Sequence, residues 1–306
     1  MKNKKILVIG STNVDFLIKS ERLPALGETV TNGTFMQNFG GKGANQAVGA
    51  ARAGGLVTFI TCLGRDLYAE ELLRSFLADG IDTGFVFNDP DAATGSALIM
   101  LDREGNNYIS VASGSNFKLT PNLIDTALGA ILEAELIVLQ MEIPFETTAY
   151  VFELAKKYGK KVLFNLAPAR PFDLSVLRQT YAFVVNEVEA SMVTGLKVES
   201  DEEIRTAAGK LLALGPEIAI ITLGARGSFI ASSDYRQFVP AFSVNAVDTT
   251  AAGDVYCGSL AVALVEGKPL PEAVRFAGAA SAISVTRLGA QPSAPWRDEI
   301  DEFLKA

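Results

Sequence analysis

Histidine is absent from all 306 residues. That excludes Ser-His-Asp and Cys-His catalysis and every metal site that needs imidazole. Proton transfer near neutral pH must fall to a carboxylate, Lys, Tyr or Cys. Cysteine is scarce: Cys62 and Cys257 both stand in apolar text and read as reduced core thiols of a cytoplasmic protein. No apolar run is long enough to span a bilayer, so no membrane role is expected. The N-terminal MKNKKILVIG breaks its apolar run at Gly10 and Ser11 without a small-x-small cleavage pattern, and reads as a first β-strand, not a signal peptide. Basic residues are the scarcer charge, 27 against 35 acidic ones; the net charge of -8 disfavours nonspecific nucleic-acid binding, though a local basic cleft stays possible.

What is present is ample apolar material, 49% of the residues, with 20% charged. Short apolar runs recur: KILVIG (5–10), VTFITCLG (57–64), LIVLQME (136–142), KVLFNLAP (161–168), FVVN (183–186) and IAIITLG (218–224). Amphipathic stretches such as AELLRSFLADG, TTAYVFELAKKYG and EEIRTAAGKLLALG lie between them. Strands alternating with helices predict an α/β fold, a mainly parallel sheet covered on both faces. Residues 15–38 and 83–111 break the rhythm. Both read as antiparallel strands outside the main sheet, forming a small sheet with one face free for a ligand or a second subunit; the alternative is an edge extension of the main sheet. No repeat or interdomain linker is visible.

Six stretches could carry chemistry. In AVDTTAAGDVYCG (246–258), small residues precede Asp254 and an apolar helical pattern. A helix starting near Ala252 would offer unpaired N–H groups and a favourable dipole to a phosphate, while an aspartate in that turn is also an ordinary capping choice. There is no Walker A loop. In NFGGKGANQAVGAAR (38–52), glycines permit close backbone approach before a helix beginning around Ala44, and Asn45 could reach a polyhydroxyl ligand. In STNVDF (11–16), Asn13 and Asp15 follow the first strand, where open α/β sheets place ligands; an Asx-turn is the plain alternative. Glu142 of QMEIP (140–144) stands at another strand end. In VVNEVEA (184–190), Asn186 and Glu189 have capping-box spacing, or hold water around Mg²⁺. ITLGARGSFI (221–230) is a strand, a Gly-containing turn and a strand, either an anion nest or a plain β-turn.

Together and in this order, these pieces resemble the ribokinase family of carbohydrate kinases. GGKGANQA (40–47) and VDTTAAGD (247–254) are the most specific, and RLGAQPSAPWRDEI (287–300) extends the resemblance toward the C-terminal end. It implies one three-layer αβα domain over residues 1–306, with a β-sheet lid from strands inserted within about 15–40 and 83–112, covering the sugar and often making a homodimer. It implies ATP-dependent phosphorylation of D-ribose at the 5-hydroxyl, giving D-ribose 5-phosphate and ADP. Asp254 matches the base, and Ala251, Ala252 and Gly253 match the anion hole. Asn13, Asp15, Gly41, Lys42, Asn45 and Glu142 match sugar-holding positions. Asn186, Thr222, Gly224 and Gly227 match nucleotide positions, with Ala252 and Gly253 beside them, and Glu189 completes the motif tied to Mg²⁺. Asp248, Thr250, Ser284, Arg287, Gly289 and Ser293 match loops around an activating K⁺. The chain departs from the pattern at Gly278, where the family often carries a larger polar residue or His beside the adenine. A kinase for deoxyribose, a nucleoside or another furanose or ketose is the nearest alternative; a noncatalytic sugar-binding regulator belongs to another class and leaves Asp254 without a task.

Overall fold

A computed structural model describes residues 5–305. The basic residues 1–4, which open the N-terminal reading, and residue 306 lie outside the described residues. In chain order the strands are β1 (Lys5–Ile9), β2 (Asn13–Lys19), β3 (Thr34–Gly40), β4 (Leu56–Gly64), β5 (Asp82–Asp89), β6 (Gly95–Leu101) and β7 (Asn107–Ala112). After them come β8 (Ala134–Leu139), β9 (Lys161–Asn165), β10 (Ala182–Asn186), β11 (Ile218–Thr222), β12 (Ser228–Ala231) and β13 (Arg236–Val239). The helices are α1 (Lys42–Arg52), α2 (Leu67–Ala78), α3 (Pro121–Thr126), α4 (Leu128–Glu133), α5 (Phe145–Tyr158), α6 (Glu187–Thr194), α7 (Asp201–Ala213), α8 (Ala252–Glu266), α9 (Leu270–Ser284) and α10 (Arg297–Phe303).

Nine strands form one sheet in the order β13-β12-β11-β10-β9-β8-β1-β4-β5. All neighbours from β5 to β11 are parallel, and β12 and β13 add an antiparallel edge. The apolar runs are continuous because the sheet is covered on both sides. In β1, Ile6 and Val8 enter one core and Leu7 and Ile9 the other. The first core is closed by α1, α2, α8, α9 and α10, the second by α3, α4, α5, α6 and α7. The result is the expected three-layer αβα sandwich. Each such fully buried side chain contributes roughly 1.5–3 kcal/mol. No helix among the described residues is long and apolar enough to cross a membrane.

The second sheet has four strands in the order β3-β2-β6-β7. Two expectations need correction here. The sheet is not wholly antiparallel: β2 runs parallel to β6, while β2–β3 and β6–β7 are antiparallel. And the stretch from residue 83 begins in the large sheet, since β5 pairs with β4 as its edge. The cause is burial on both sides: Val86 packs against one core, Phe85 and Phe87 against the other. The small sheet also exposes apolar side chains on both faces. By register Ile18, Phe35 and Leu98 share one face, Met36, Ile109 and Val111 the other, and every one of them is exposed. Only Gly10, Ser11 and Thr12 separate β1 of the large sheet from β2 of the small one.

Candidate active site

Two helices start on small residues, and their first turns differ. At α1 the N-cap Gly41 has φ 88°, and a Cβ there would lie 2.7 Å from the Asn13 nitrogen, so glycine is required. The helix begins at Lys42, two residues before the expected Ala44. Its first donors are already occupied: the Lys42 N–H donates to Glu142 Oε2 (2.9 Å), that of Gly43 to Ser11 Oγ (3.3 Å) and that of Ala44 to the Ser11 carbonyl (2.9 Å). A carboxylate thus sits at the positive end of α1. At α8 the N-cap Ala251 takes a left-handed conformation, φ 59°, with no side-chain cap. The N–H of Ala252 donates to the Thr249 carbonyl (3.2 Å), so one of the three residues expected to form the anion hole keeps its donor at home. The N–H groups of Ala251, Gly253 and Asp254 have no hydrogen-bond partner among the described residues. Only the α8 turn is therefore open to an anion.

Asp254, the third residue of α8, is buried, and each of its oxygens accepts one amide bond. Asn45 Nδ2 donates to Oδ2 (3.1 Å) and Gln46 Nε2 to Oδ1 (3.0 Å). The Asn45 amide therefore spends a donor on the aspartate, leaving Asn45 Oδ1 as a buried acceptor without a partner. Glu142 also accepts from Ser11 Oγ (2.6 Å). Asn13 lies on a strand, and its Oδ1 accepts from Asn116 Nδ2 (2.8 Å); no Asx-turn forms. Asp15 lies two residues on, against Gly40, where a Cβ would fall 2.1 Å from its Oδ2.

The charges here are mutually coupled. Burial, then the charges of Glu142 and Asp254, push Asp15 up to about 6. The Asp254 carboxylate raises half-buried Lys42, with Glu142 and Glu189 adding to it, against the cost of desolvation. Burial pushes Glu189 up to about 7, reinforced by Asp254 and opposed by the Asn186 N–H and by Lys42. Glu189 and Asn186 do form a capping box, with bonds of 2.8 Å each way. The capping-box reading of that pair therefore holds, and the same carboxylate also feels the charges of Lys42 and Asp254.

Beside the α8 start lies a cavity of about 330 Å³. Thr222, Gly224, Gly227, Ala252, Gly253 and Gly278 all line it, with Val239, Phe242, Val244 and Val274 as apolar walls. Asn186 is not among its lining residues. A Cβ at Gly278 would meet nothing within 4 Å, so the departure from the family pattern leaves open space. The nest reading of the 224–227 turn weakens: its Arg226 and Gly227 N–H groups bond to the Leu223 and Gly224 carbonyls. Behind the α8 start, Asp248 accepts from the Thr250 N–H and the Gly289 N–H, 2.9 Å each. Burial opposes its charge, but these bonds outweigh it and hold Asp248 below the usual carboxylate range. Ser284 and Ser293 turn their hydroxyls to the Ser281 and Ala290 carbonyls, and Arg287 turns to Glu299 (2.5 Å).

The pfkB family carbohydrate kinase profile matches residues 3–297. The chain belongs to the pfkB family of carbohydrate kinases. A bifunctional ribokinase/ribose-5-phosphate isomerase A of Fructilactobacillus sanfranciscensis is 40% identical over 97% of the chain, which spans 55% of that longer protein. A deoxyribokinase of Salmonella typhi is 38% identical, with 98% of each chain covered. The structure of Arabidopsis thaliana ribokinase complexed with ribose and ATP is 33% identical, with a TM-score of 0.91 and 99% of each chain covered.

Reading this pfkB-family chain by motif missed several residues that build the site. Ser11 caps α1 from outside the helix, Asn116 holds Asn13, and Gln46, Gln140 and Asn165 support Asp254 from below. Ser11 and Gln140 stand inside stretches already singled out, and Gln46 follows Asn45 directly. Asn116 and Asn165 gave no local signal beyond a polar residue at the end of an apolar or strand segment.

Proposed function

We propose that this carbohydrate kinase transfers the γ-phosphoryl group of ATP to the 5-hydroxyl of D-ribose. The observation that carries the reading is Asp254, ionisable and held by two amides, in the first turn of a helix whose neighbouring N–H groups are free. The sugar lies over Asn13, Asp15, Gly41, Lys42, Asn45 and Glu142, and its primary hydroxyl faces Asp254. As that oxygen bonds to the γ-phosphorus, its proton passes to Asp254 and the bond to the β-phosphate oxygen breaks, releasing ADP. The free N–H groups of Ala251 and Gly253, with Lys42 nearby, meet the charge on the phosphoryl oxygens. The nucleotide occupies the cavity lined by Thr222, Gly224, Gly227 and Gly278.

Mg²⁺, when bound, neutralises phosphate charge. Asn186 and Glu189 fit a water-mediated hold on it, since Glu189 faces the same charges that the phosphates would. For K⁺ the donor set is hard oxygen: Asp248 and the carbonyls of the loops through Thr250, Ser284, Arg287, Gly289 and Ser293, two of which Asp248 ties together. The small sheet acts as a lid, excluding water that would compete as acceptor, and its exposed apolar residues pair with a second copy. The two buried free thiols suit a reducing cytoplasm.

The similarity to a deoxyribokinase favours deoxyribose as the second reading. ATP consumption with ribose, deoxyribose, fructose and nucleosides separates them. Ribose is expected to give the highest kcat/KM, yielding the 5-phosphate; no turnover on any of these acceptors would end the kinase reading. Replacing K⁺ by Na⁺ at fixed ionic strength is expected to slow the reaction, and an unchanged rate removes the ion from the site.

A further inference from the structure

Beneath Asp254 lies a row of buried amides. Asn165 Nδ2 donates to the Val184 carbonyl (3.1 Å), Gln46 Nε2 donates both to Asn165 Oδ1 (3.1 Å) and to Asp254 Oδ1 (3.0 Å), and Gln140 Nε2 donates to Gln46 Oε1 (2.9 Å). Gln46 and Gln140 are fully buried, and Asn165 nearly so. A backbone carbonyl can only accept, so Val184 obliges Asn165 to turn its NH₂ downward and its oxygen toward Gln46. That oxygen in turn obliges Gln46 to present its NH₂, and the second N–H of the same group points at Asp254. Reversing Gln46 would set its oxygen against two acceptors and its NH₂ against the Gln140 donor. In a buried setting each mismatch is costly.

We propose that Gln46 is a positioning residue for the phosphoryl-transfer step, transmitting a fixed orientation from the Val184 carbonyl through Asn165 to the carboxylate of Asp254. The relay aims one carboxylate oxygen by holding the other. It rests on Asp254 being the base, and deepens that reading. Asn45 anchors Oδ2 from the sugar side, and its remaining oxygen stays available to the site. Gln46 has no such spare role: its amide hydrogens are both spent on the relay.

The test is a cycle of near-isosteric variants, read as kcat and sugar KM separately. Gln46→Met removes the donor, and kcat is expected to fall roughly 10- to 100-fold, the scale of one hydrogen bond to a charged group, with KM within about threefold. Asn165→Leu, which removes one of the three bonds that fix the Gln46 amide, is expected to cost kcat about three- to tenfold. Adding Asn165→Leu to Gln46→Met is expected to cost no more than about a further twofold, because the path is already cut. A Gln46→Met enzyme with parental kcat, a loss carried by KM, or full multiplication of the two losses would each overturn the relay. If Gln46→Met does not fold, Gln140→Met removes the bond to Gln46 Oε1 and is read by the same split. Crystal structures of the parent and variants without ligands supply a readout that needs no turnover: the Asp254 carboxylate is expected to rotate in the variants. An unmoved carboxylate overturns the relay while the kinase reading stands; a rotated one shows that Gln46 orients Asp254, and the accompanying loss of kcat ties that orientation to the transfer step.

Discussion

A carboxylate makes a poor base at neutral pH, and this chain has no histidine to offer instead. What Asp254 has is placement: two amides on its oxygens, open N–H groups beside it and Lys42 close by. Asp254→Asn keeps the size, removes the proton acceptor and sets an NH₂ against one of the two amide donors, so turnover is expected to fall on the order of 10²–10⁴-fold while calorimetry still detects sugar binding. A variant retaining most of its rate would show that another group takes the proton. Glu189 makes a different prediction. Burial lifts it to about 7 from an ordinary 4.5, so between those values the folded protein keeps a proton the unfolded chain has released. Its contribution to stability is therefore complete below about pH 4.5 and is lost as the pH rises through about 7, and Asp15, lifted to about 6 from 3.8, acts in the same direction. Thermal melting is expected to drop across that window. Glu189→Gln, which preserves capping-box chemistry, should flatten Glu189's share of the slope; an undiminished slope assigns it to other groups.

Among elements, the pairing of α1 with α8 sets the distance between the Asn45 and Gln46 amides and Asp254. A Cβ on Gly258 would lie 2.4 Å from the Gln46 carbonyl oxygen and 2.7 Å from the Ala50 nitrogen, both backbone atoms that have no rotamer to change. Gly258→Ala is expected to push the helices apart, costing about 1–3 kcal/mol in denaturant unfolding and lowering kcat through Asp254 one turn earlier. Parental stability and activity in that variant would mean the helices do not hold the site's spacing. The same pair marks how far the sequence could be read. The apolar runs were legible because burial on both faces leaves continuous hydrophobic text, and the start of α8 because a run of small residues precedes an apolar helix. Gln46–Asn165 was not: its partners are 119 residues apart and meet only after β9 is laid beside β8. The membership of β5 was equally hidden, since a short mixed run reads alike whether it edges one sheet or the other. At Ser11, a helix is capped by a side chain from outside it, which no local window contains.

For the whole molecule, the open question of partners turns on the small sheet. Its exposed residues include Phe35 at 59%, Leu98 at 62% and Ile109 at 58%, more apolar surface than a solvated sheet needs and on both of its faces. Sedimentation at micromolar concentration is expected to find a dimer, and Leu98→Glu to shift it toward monomer; a monomeric parent would leave these residues without the proposed occupant. The three-residue passage from β1 to β2 then has a consequence for descent and for engineering. Asn13 and Asp15 are carried by the same strand that crosses into the small sheet, directly beside β6. A chimera that imported residues 13–40 and 95–112 from a relative would import those two polar groups with them. On the proposed reading, choice of acceptor and choice of subunit partner share one strand, and neither is expected to be exchangeable as a module without revising the other.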